Sequence, residues 1–239
     1  MRGEFVGNMS EDSNSIGSQN SFGNGNRHQY YYGQGGRLVL VDSALEAVNR
    51  GSTTVGIKTK EFALISSHIK PTLPLVDPNE KIFTIDKHIG ATGSGYMADI
   101  EQLIEEIRLQ AQKHRLSYES PIDIKSIAKH LSTYLHNYTI YAVRPQAASI
   151  IIAGVDDNGI QLYQVDPGGT YLKGSGFAIG YSSDIALNAL QKGYSKNMTP
   201  NEALELANSA IEKAIGEKPV VESGVVTSEG FSKLSLIHI

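Results

Sequence analysis

Hydrophobic and polar positions divide most of the chain into alternating blocks with the spacing of strands and of helices. Short apolar runs separated by polar turns are typical of antiparallel strands, and four of them occur at residues 52–59, 62–68, 81–86 and 88–93. The pattern then changes to apolar residues at steps of three and four, which predicts one face of a long helix ending near residue 115. The residues of this face are Met97, Ile100, Leu103, Ile104, Ile107 and Ala111.

A second helical stripe follows Ser120-Pro121, and the proline is expected just inside the start of that helix. Its apolar residues are Ile124, Ile127, Ala128, Leu131, Leu135 and Tyr138. Four more strands are predicted after it, at residues 147–156, 159–165, 170–173 and 176–180. Asp157-Asn158-Gly159 predicts a hairpin turn between the first two of these strands, because asparagine and glycine tolerate positive φ.

Two helices and two strands complete the pattern. The helices are predicted from residue 182 or 183 to about 193 and over residues 199–216, and the strands over residues 218–227 and 230–239. The helix from residue 199 has the clearest boundaries, because Thr199-Pro200-Asn201-Glu202 supplies an N-cap, a proline at the first helical position and a capping-box glutamate. Gly216 is the residue expected to end it.

The order of these blocks predicts an α+β fold. Strands, two helices, strands, two helices and strands follow one another, with a further short helix over residues 38–49 before the first strands. Segregated blocks of this kind indicate two antiparallel sheets packed together, with helix pairs on their outer faces.

The first 36 residues differ in composition from the rest of the chain. They hold 8 of the 24 glycines and are rich in Asn and Ser, so they offer too little apolar surface to offset chain entropy. We therefore predict a disordered tail over residues 1–36 and a globular domain over residues 37–239. No secretory signal follows Arg2 and no apolar run reaches 18 residues, so we expect a soluble, cytoplasmic protein without membrane contact.

Composition excludes several kinds of chemistry. Cysteine is absent, which removes disulfides, thiolate nucleophiles and cysteine-ligated metals, and a net charge of -4 argues against a nucleic-acid partner. The histidines show no metal-binding spacing, and Gly93-Ser94-Gly95 lacks the rest of a phosphate-binding fingerprint, so a tight strand-to-helix turn is expected there. We therefore expect neither a cofactor nor a metal.

Seven short segments of the sequence occur together in the order found in one protein family. They lie at residues 36–56, 80–86, 95–99, 143–145, 152–156, 166–169 and 178–180. Glu80-Lys81-Ile82 and Val143-Arg144-Pro145 are examples. Through these segments the chain resembles the proteasome α-subunit family, most closely the archaeal type, over residues 36 to about 215.

The resemblance implies a fold, partners and a role. The fold would be a four-layer αββα sandwich, and seven α subunits would form a ring, either of this chain alone or mixed with other α subunits. Such rings cap the catalytic rings of proteasome β subunits. The implied role is non-catalytic: the α ring gates the entry of substrates and docks activators such as an ATPase ring.

Two alternative functions are compatible with the resemblance. Ser52 lies where the processed N-terminal nucleophile of catalytic relatives would be, so removal of residues 1–51 would create a peptidase. However, the family's orienting aspartate falls at His68, and residues 36–51 match the N-terminal helix of the α type. Lys81 lies near the position of the catalytic lysine, but the α type carries this lysine too. The other alternative is a divergent paralogue that acts outside the proteasome.

The chain departs from the family at its N-terminal gate. The family's Tyr-Asp-Arg aligns with residues 25–27, where only Arg27 matches, and its reverse-turn proline and a nearby tyrosine are replaced. The residues that we assign to the gate are Arg27, Tyr30, Tyr31, Tyr32, Gln34 and Ser43. Because the gate residues differ from the family's, we interpret the subunit as a specialised partner in a mixed ring.

The activator pocket also departs from the family. In archaeal relatives, a lysine upstream of Glu-Lys-Ile captures the C-terminal carboxylate of an activator, which is a charge-assisted contact. The ungapped alignment places Thr72 at that position, and a one-residue gap places Pro74 there. Lys70 is the only nearby cation in this segment, and either it replaces the family's lysine or it is a solvated loop residue. We assign Gly51, Lys70, Thr72 and Pro74 to the pocket.

Overall fold

Two antiparallel sheets carry the architecture in a computed structural model that describes residues 33, 36–70, 74–141 and 144–234. The helices in this part of the chain are α1 (Val39–Asn49), α2 (Met97–Tyr118), α3 (Ile124–Tyr141), α4 (Ser183–Gly193) and α5 (Pro200–Ile215). The strands are β1 (Thr54–Lys58), β2 (Ala63–His68), β3 (Ile82–Asp86), β4 (Ile89–Gly95), β5 (Ala148–Asp156), β6 (Gly159–Val165), β7 (Tyr171–Lys173), β8 (Gly176–Ile179), β9 (Val221–Thr227) and β10 (Gly230–Leu234).

Each sheet has five strands. The first sheet has the order β10-β9-β2-β1-β8, and the second has the order β3-β4-β5-β6-β7. The second sheet joins five strands that are consecutive in the chain, with α2 and α3 connecting β4 to β5, whereas the first sheet joins strands from both ends of the chain. Chain segments thus cross from one sheet to the other, and the segment between β2 and β3 is one of these crossings.

Three apolar cores stack these elements into four layers. Helices α2 and α3 pack on the second sheet, and α4 and α5 pack on the first. A third core, which includes Ile65, Ile151 and Leu162, fills the space between the sheets. The predicted sandwich of two sheets between two helix pairs is therefore confirmed.

The start of α3 differs from the sequence prediction. The helix begins at Ile124, so Pro121 precedes it instead of lying inside it. Asp123 takes the N-cap role, because its carboxylate accepts a 2.9 Å hydrogen bond from the backbone N–H of Ser126. The Asp156 carboxylate accepts from the N–H of Ile124 at 3.0 Å, which fixes the helix start to the end of β5.

Boundary signals elsewhere are confirmed. Thr199 and Glu202 form the capping box of α5, and Gly216 ends that helix at φ 79°. Gly159 follows the hairpin turn at φ 82°. No helix in the described ranges is long and apolar enough to cross a membrane.

Helix α1 lies at one end of the two sheets, and its residues line the site described below. It buries Ala44 and Val48 against β4 and β5, and its C-terminal end leads directly into β1. The predicted tail over residues 1–36 falls almost wholly outside the described residues, so its conformation stays a prediction.

Candidate functional site

A cavity of about 470 Å³ opens where the C-terminal end of α1 meets the start of α2. Helix α1 and the turn after it contribute one wall, and Gly95, Tyr96 and Met97 contribute another. Lys70 and Lys81 complete the lining, and we call this space the lysine cavity. Arg50 adds a third cationic residue to the lining and Glu46 an anionic one, so the cavity combines the volume of a small ligand site with a net positive charge.

Gly51 makes the close approach between α1 and β4 possible. A Cβ atom at this position would lie 2.5 Å from the backbone nitrogen of Gly95, and it would also collide with the Ser94 hydroxyl. The N–H of Gly51 donates to the carbonyl of Val48 at 2.8 Å, which closes the last turn of α1. Glycine is therefore the residue that lets the helix end pack directly on the strand.

Lys70 lies at the end of α1 although it belongs to the segment after β2. Its Nζ donates a hydrogen bond of 2.8 Å to the carbonyl oxygen of Arg50, the C-cap residue of α1. Carbonyl groups at a helix C-terminus carry partial negative charge and attract a cation. This contact holds the exposed Lys70 side chain beside the lysine cavity.

Lys81 is half-buried and lines the same cavity. Burial lowers the pKa of Lys81, the Lys70 ammonium lowers it further, and Glu222 and Glu101 raise it in part. The Glu222 carboxylate also accepts from the backbone N–H of Lys81 at 2.7 Å, which fixes the start of β3. The Lys70 ammonium thus disfavours the charged form of Lys81, and an anion bound beside Lys81 would relieve that cost.

His68 adds an imidazole at the end of β2. The residue as a whole is 8% exposed, and its backbone N–H donates to the carbonyl of Thr53 at 2.9 Å. Burial lowers the pKa of His68, Lys70 and Lys81 lower it further, and Glu217 opposes them. The imidazole is therefore neutral at neutral pH, next to a cavity that carries two lysines.

An ion pair holds the α2 wall of the cavity in place. The buried Asp99 carboxylate accepts hydrogen bonds from both terminal nitrogens of Arg144, at 2.6 and 2.7 Å, and from the backbone N–H of Ala147 at 2.7 Å. Burial by itself raises the pKa of Asp99, but these hydrogen bonds outweigh it and leave the pKa below its usual value. The first turn of α2 is thereby tied to the segment before β5.

Comparisons with known proteins decide the family. A family model described as "Proteasome subunit" matches residues 48–228. The chain belongs to the proteasome subunit family. It is 41% identical over 191 residues to "Proteasome subunit alpha" of Methanothermobacter thermautotrophicus, which covers 79% of this chain and 77% of that protein. Proteins of the same name from Methanopyrus kandleri and Pyrococcus abyssi are 38% and 39% identical, over 83% and 84% of this chain and 83% and 79% of theirs.

These relatives identify the chain as an α-type proteasome subunit, as the sequence predicts. In the proteasome, catalysis belongs to the β subunits, so this α-type chain is non-catalytic. Membership of the family also implies assembly into proteasome rings with β subunits.

The alternative of a nucleophilic Ser52 is therefore not supported. Ser52 is buried, and the preceding Gly51 is locked against β4 rather than lying in a separable leader. The neighbouring hydroxyls make structural contacts: Thr53 Oγ1 donates to the Tyr181 carbonyl at 2.8 Å, and Thr54 Oγ1 lies 2.7 Å from Ser67 Oγ.

The lysine cavity brings together some of the residues expected at the α-subunit's functional sites. Gly51 and Lys70, assigned to the activator pocket, line it, and so does Ser43, assigned to the gate. Ser43 Oγ donates to the Val39 carbonyl at 3.0 Å. Pro74 is exposed and is not part of the lining. The other assigned residues, Arg27, Tyr30, Tyr31, Tyr32, Gln34 and Thr72, lie outside the described residues.

The sequence analysis does not assign Lys81 to this cavity, and it does not single out His68 as its neighbour. The resemblance relates Lys81 only to the position of a catalytic lysine, and His68 only to that of an orienting aspartate. The available signal was the Glu80-Lys81-Ile82 segment itself, which places a lysine at the entrance to β3. The place of Lys81 in the cavity depends on the fold, which brings the end of β2 and the start of β3 together near the C-terminal end of α1.

Proposed function

We propose that this α-type subunit forms a seven-membered outer ring of the proteasome and docks the C-terminal segment of an ATPase activator in the lysine cavity. The ring contains this chain alone or mixed with other α subunits, and the divergent gate residues favour a mixed ring. The observation that carries the docking proposal is the pairing of Lys70 and Lys81 around one cavity.

The chemistry of the cavity fits a C-terminal carboxylate. The Lys70 ammonium disfavours the charged form of Lys81, so an anion that binds beside both lysines relieves this repulsion and accepts charge-assisted hydrogen bonds. The volume of about 470 Å³ accommodates more than a carboxylate, so the last few side chains of a docked segment also fit. Ser43 and Glu46 give the α1 wall a polar surface for such a segment.

The tail over residues 1–36 is proposed to serve as the gate, with Arg27, Tyr30, Tyr31, Tyr32 and Gln34 as its contact residues. A flexible glycine-rich chain of this length has an end-to-end distance of roughly 30–36 Å. Several such tails around the axis of a ring would crowd its pore without an ordered lattice of contacts.

A cytoplasmic location, expected from the sequence, also stays a prediction.

A matched pair of peptides tests the docking proposal. A ten-residue peptide with the C-terminal sequence of an archaeal proteasomal ATPase is expected to bind the full-length protein, since its carboxylate meets both lysines. The same peptide with a C-terminal amide is expected to bind about tenfold or more weakly, because it lacks the charge-assisted contact. Fluorescence anisotropy at pH 7.5 measures both affinities. Equal affinities would remove the lysine cavity as a carboxylate site.

A further inference from the structure

His68 is buried next to the lysine cavity without being part of its lining, since its backbone N–H donates to the carbonyl of Thr53, the residue after Ser52 of the lining. His68 ends β2, two residues before Lys70, and both lysines of the cavity influence the protonation of its imidazole. Glu46 of α1 and the C-cap residue Arg50 line the cavity itself, and further acidic groups come from other elements. Glu217 follows α5 and faces His68, whereas Glu222 of β9 and Glu101 of α2 face Lys81.

We infer that docking of a C-terminal carboxylate in the lysine cavity is coupled to proton uptake by His68, so that docking tightens as pH falls below neutrality. This inference rests on the proposed docking function and adds its regulation. The coupling depends on the burial of one imidazole next to the two lysines of the cavity in this chain.

The direction of the effect follows from the charges around His68. In the empty cavity, burial and the two lysines keep the pKa of His68 below its ordinary value, with Glu217 as the opposing charge. A bound carboxylate offsets the positive charge of Lys70 and Lys81, so the pKa of His68 rises in the complex. A group whose pKa rises on binding takes up a proton, and binding then strengthens as pH falls through that range.

Because only one group takes up a proton, the change in peptide affinity and the pH range over which it occurs are both limited. Linkage to a single group changes affinity by at most about tenfold per pH unit. The effect is therefore absent well above the ordinary histidine pKa of about 6.5 and grows on the acidic side of it. The peptide's own carboxylate titrates near pH 3.5, which is too low to contribute. We expect affinity to rise about three- to tenfold between pH 7.5 and pH 5.5.

The experiment measures peptide affinity against pH for the full-length protein and two variants. The carboxylate peptide is expected to bind the unaltered protein more tightly at pH 5.5 than at pH 7.5, and His68→Gln is expected to abolish that difference. His136→Gln, which removes an exposed histidine of α3, serves as the matched control and is expected to keep it.

Calorimetry of the unaltered protein in buffers of different ionisation enthalpy gives a readout that does not depend on any variant. Uptake of a fraction of a proton per bound peptide near pH 6.5 is expected. Absence of proton uptake, or an equal pH dependence in His68→Gln, would overturn the inference while leaving docking intact. Failure of the carboxylate peptide to bind better than its amide at pH 7.5 would instead overturn the docking function itself.

Discussion

Replacing both cavity lysines, as Lys70→Ala/Lys81→Ala, is expected to weaken docking of the carboxylate peptide about a hundredfold or more. Truncating one partner of a charged, hydrogen-bonded contact typically costs about 2–5 kcal/mol, and a hundredfold loss corresponds to about 2.7 kcal/mol. Each single variant is expected to retain part of the affinity, because the other ammonium group remains. Lys81 is the more buried of the two, so Lys81→Ala is expected to be the more damaging single change.

The design needs a control for charge and for folding. Lys60→Ala removes an exposed lysine from the turn between β1 and β2, which is not part of the cavity lining, and is expected to leave docking unchanged. The amide peptide provides a second control, since its weaker binding is expected to be nearly insensitive to the double variant. Fluorescence anisotropy gives the affinities, and circular dichroism confirms folding. Retention of most of the affinity in a folded double variant would contradict the assignment of the carboxylate to these lysines.

Removing the partner of Asp99, as Arg144→Gln, is expected to destabilise the subunit by about 2 kcal/mol at pH 7. The change leaves the buried Asp99 carboxylate with the Ala147 N–H as its main hydrogen-bond donor. An unpaired buried charge lowers the free energy of unfolding. The expected cost is at the lower end for such cases, because the Arg144 side chain is 59% exposed and the pair is partly screened. Urea unfolding followed by circular dichroism measures the difference in free energy.

The pH dependence of this difference distinguishes charge from packing. The contacts of Arg144 hold the pKa of Asp99 below its usual value, so their stabilisation is complete above the unfolded pKa of about 3.9. It is lost as pH falls through the folded pKa, since a protonated carboxyl no longer needs the guanidinium. The gap between the two proteins is therefore expected to shrink towards pH 3. A gap of constant size would mean that Arg144 acts by packing alone.

A matched control for Arg144→Gln lies on α2, the helix that carries Asp99. Arg108 pairs with the exposed Glu105 at 2.5 Å and donates to the Thr84 carbonyl at 2.9 Å. Arg108→Gln is expected to cost less than about 1 kcal/mol, because exposed ion pairs contribute little. A larger loss for Arg108 than for Arg144 would contradict the assigned importance of the buried carboxylate.

Much of the fold could be predicted from the periodicity of apolar residues, because that periodicity reflects which face is buried. In α2, for example, Ile100, Leu103 and Ile107 are all buried, as their spacing indicates. The prediction was wrong where two helix-start signals compete. Pro121 is compatible with the first turn of a helix, but Asp123 provides a hydrogen-bonding cap that a proline ring lacks, and the helix begins after it.

The candidate site could be predicted only in part, since it depends on tertiary placement. Lys70 follows β2 of the first sheet, and Lys81 precedes β3 of the second. The crossing between the sheets returns the chain to the end where α1 lies, so two lysines eleven positions apart line one cavity. No local pattern encodes that return. His68 was similarly beyond sequence reasoning, because its role depends on burial and on the charges that surround it.

The central claim is that this chain is a non-catalytic ring subunit of the proteasome, and its assembly with β subunits tests that claim most directly. The full-length chain is to be co-expressed with an archaeal proteasome β subunit, and the purified particle examined by negative-stain electron microscopy and mass spectrometry. The account predicts cylinders with this chain in seven-membered outer rings and with its Gly51–Ser52 bond intact. A chain that forms no ring and binds no β subunit, or one that is cleaved before Ser52 in an active particle, would contradict it.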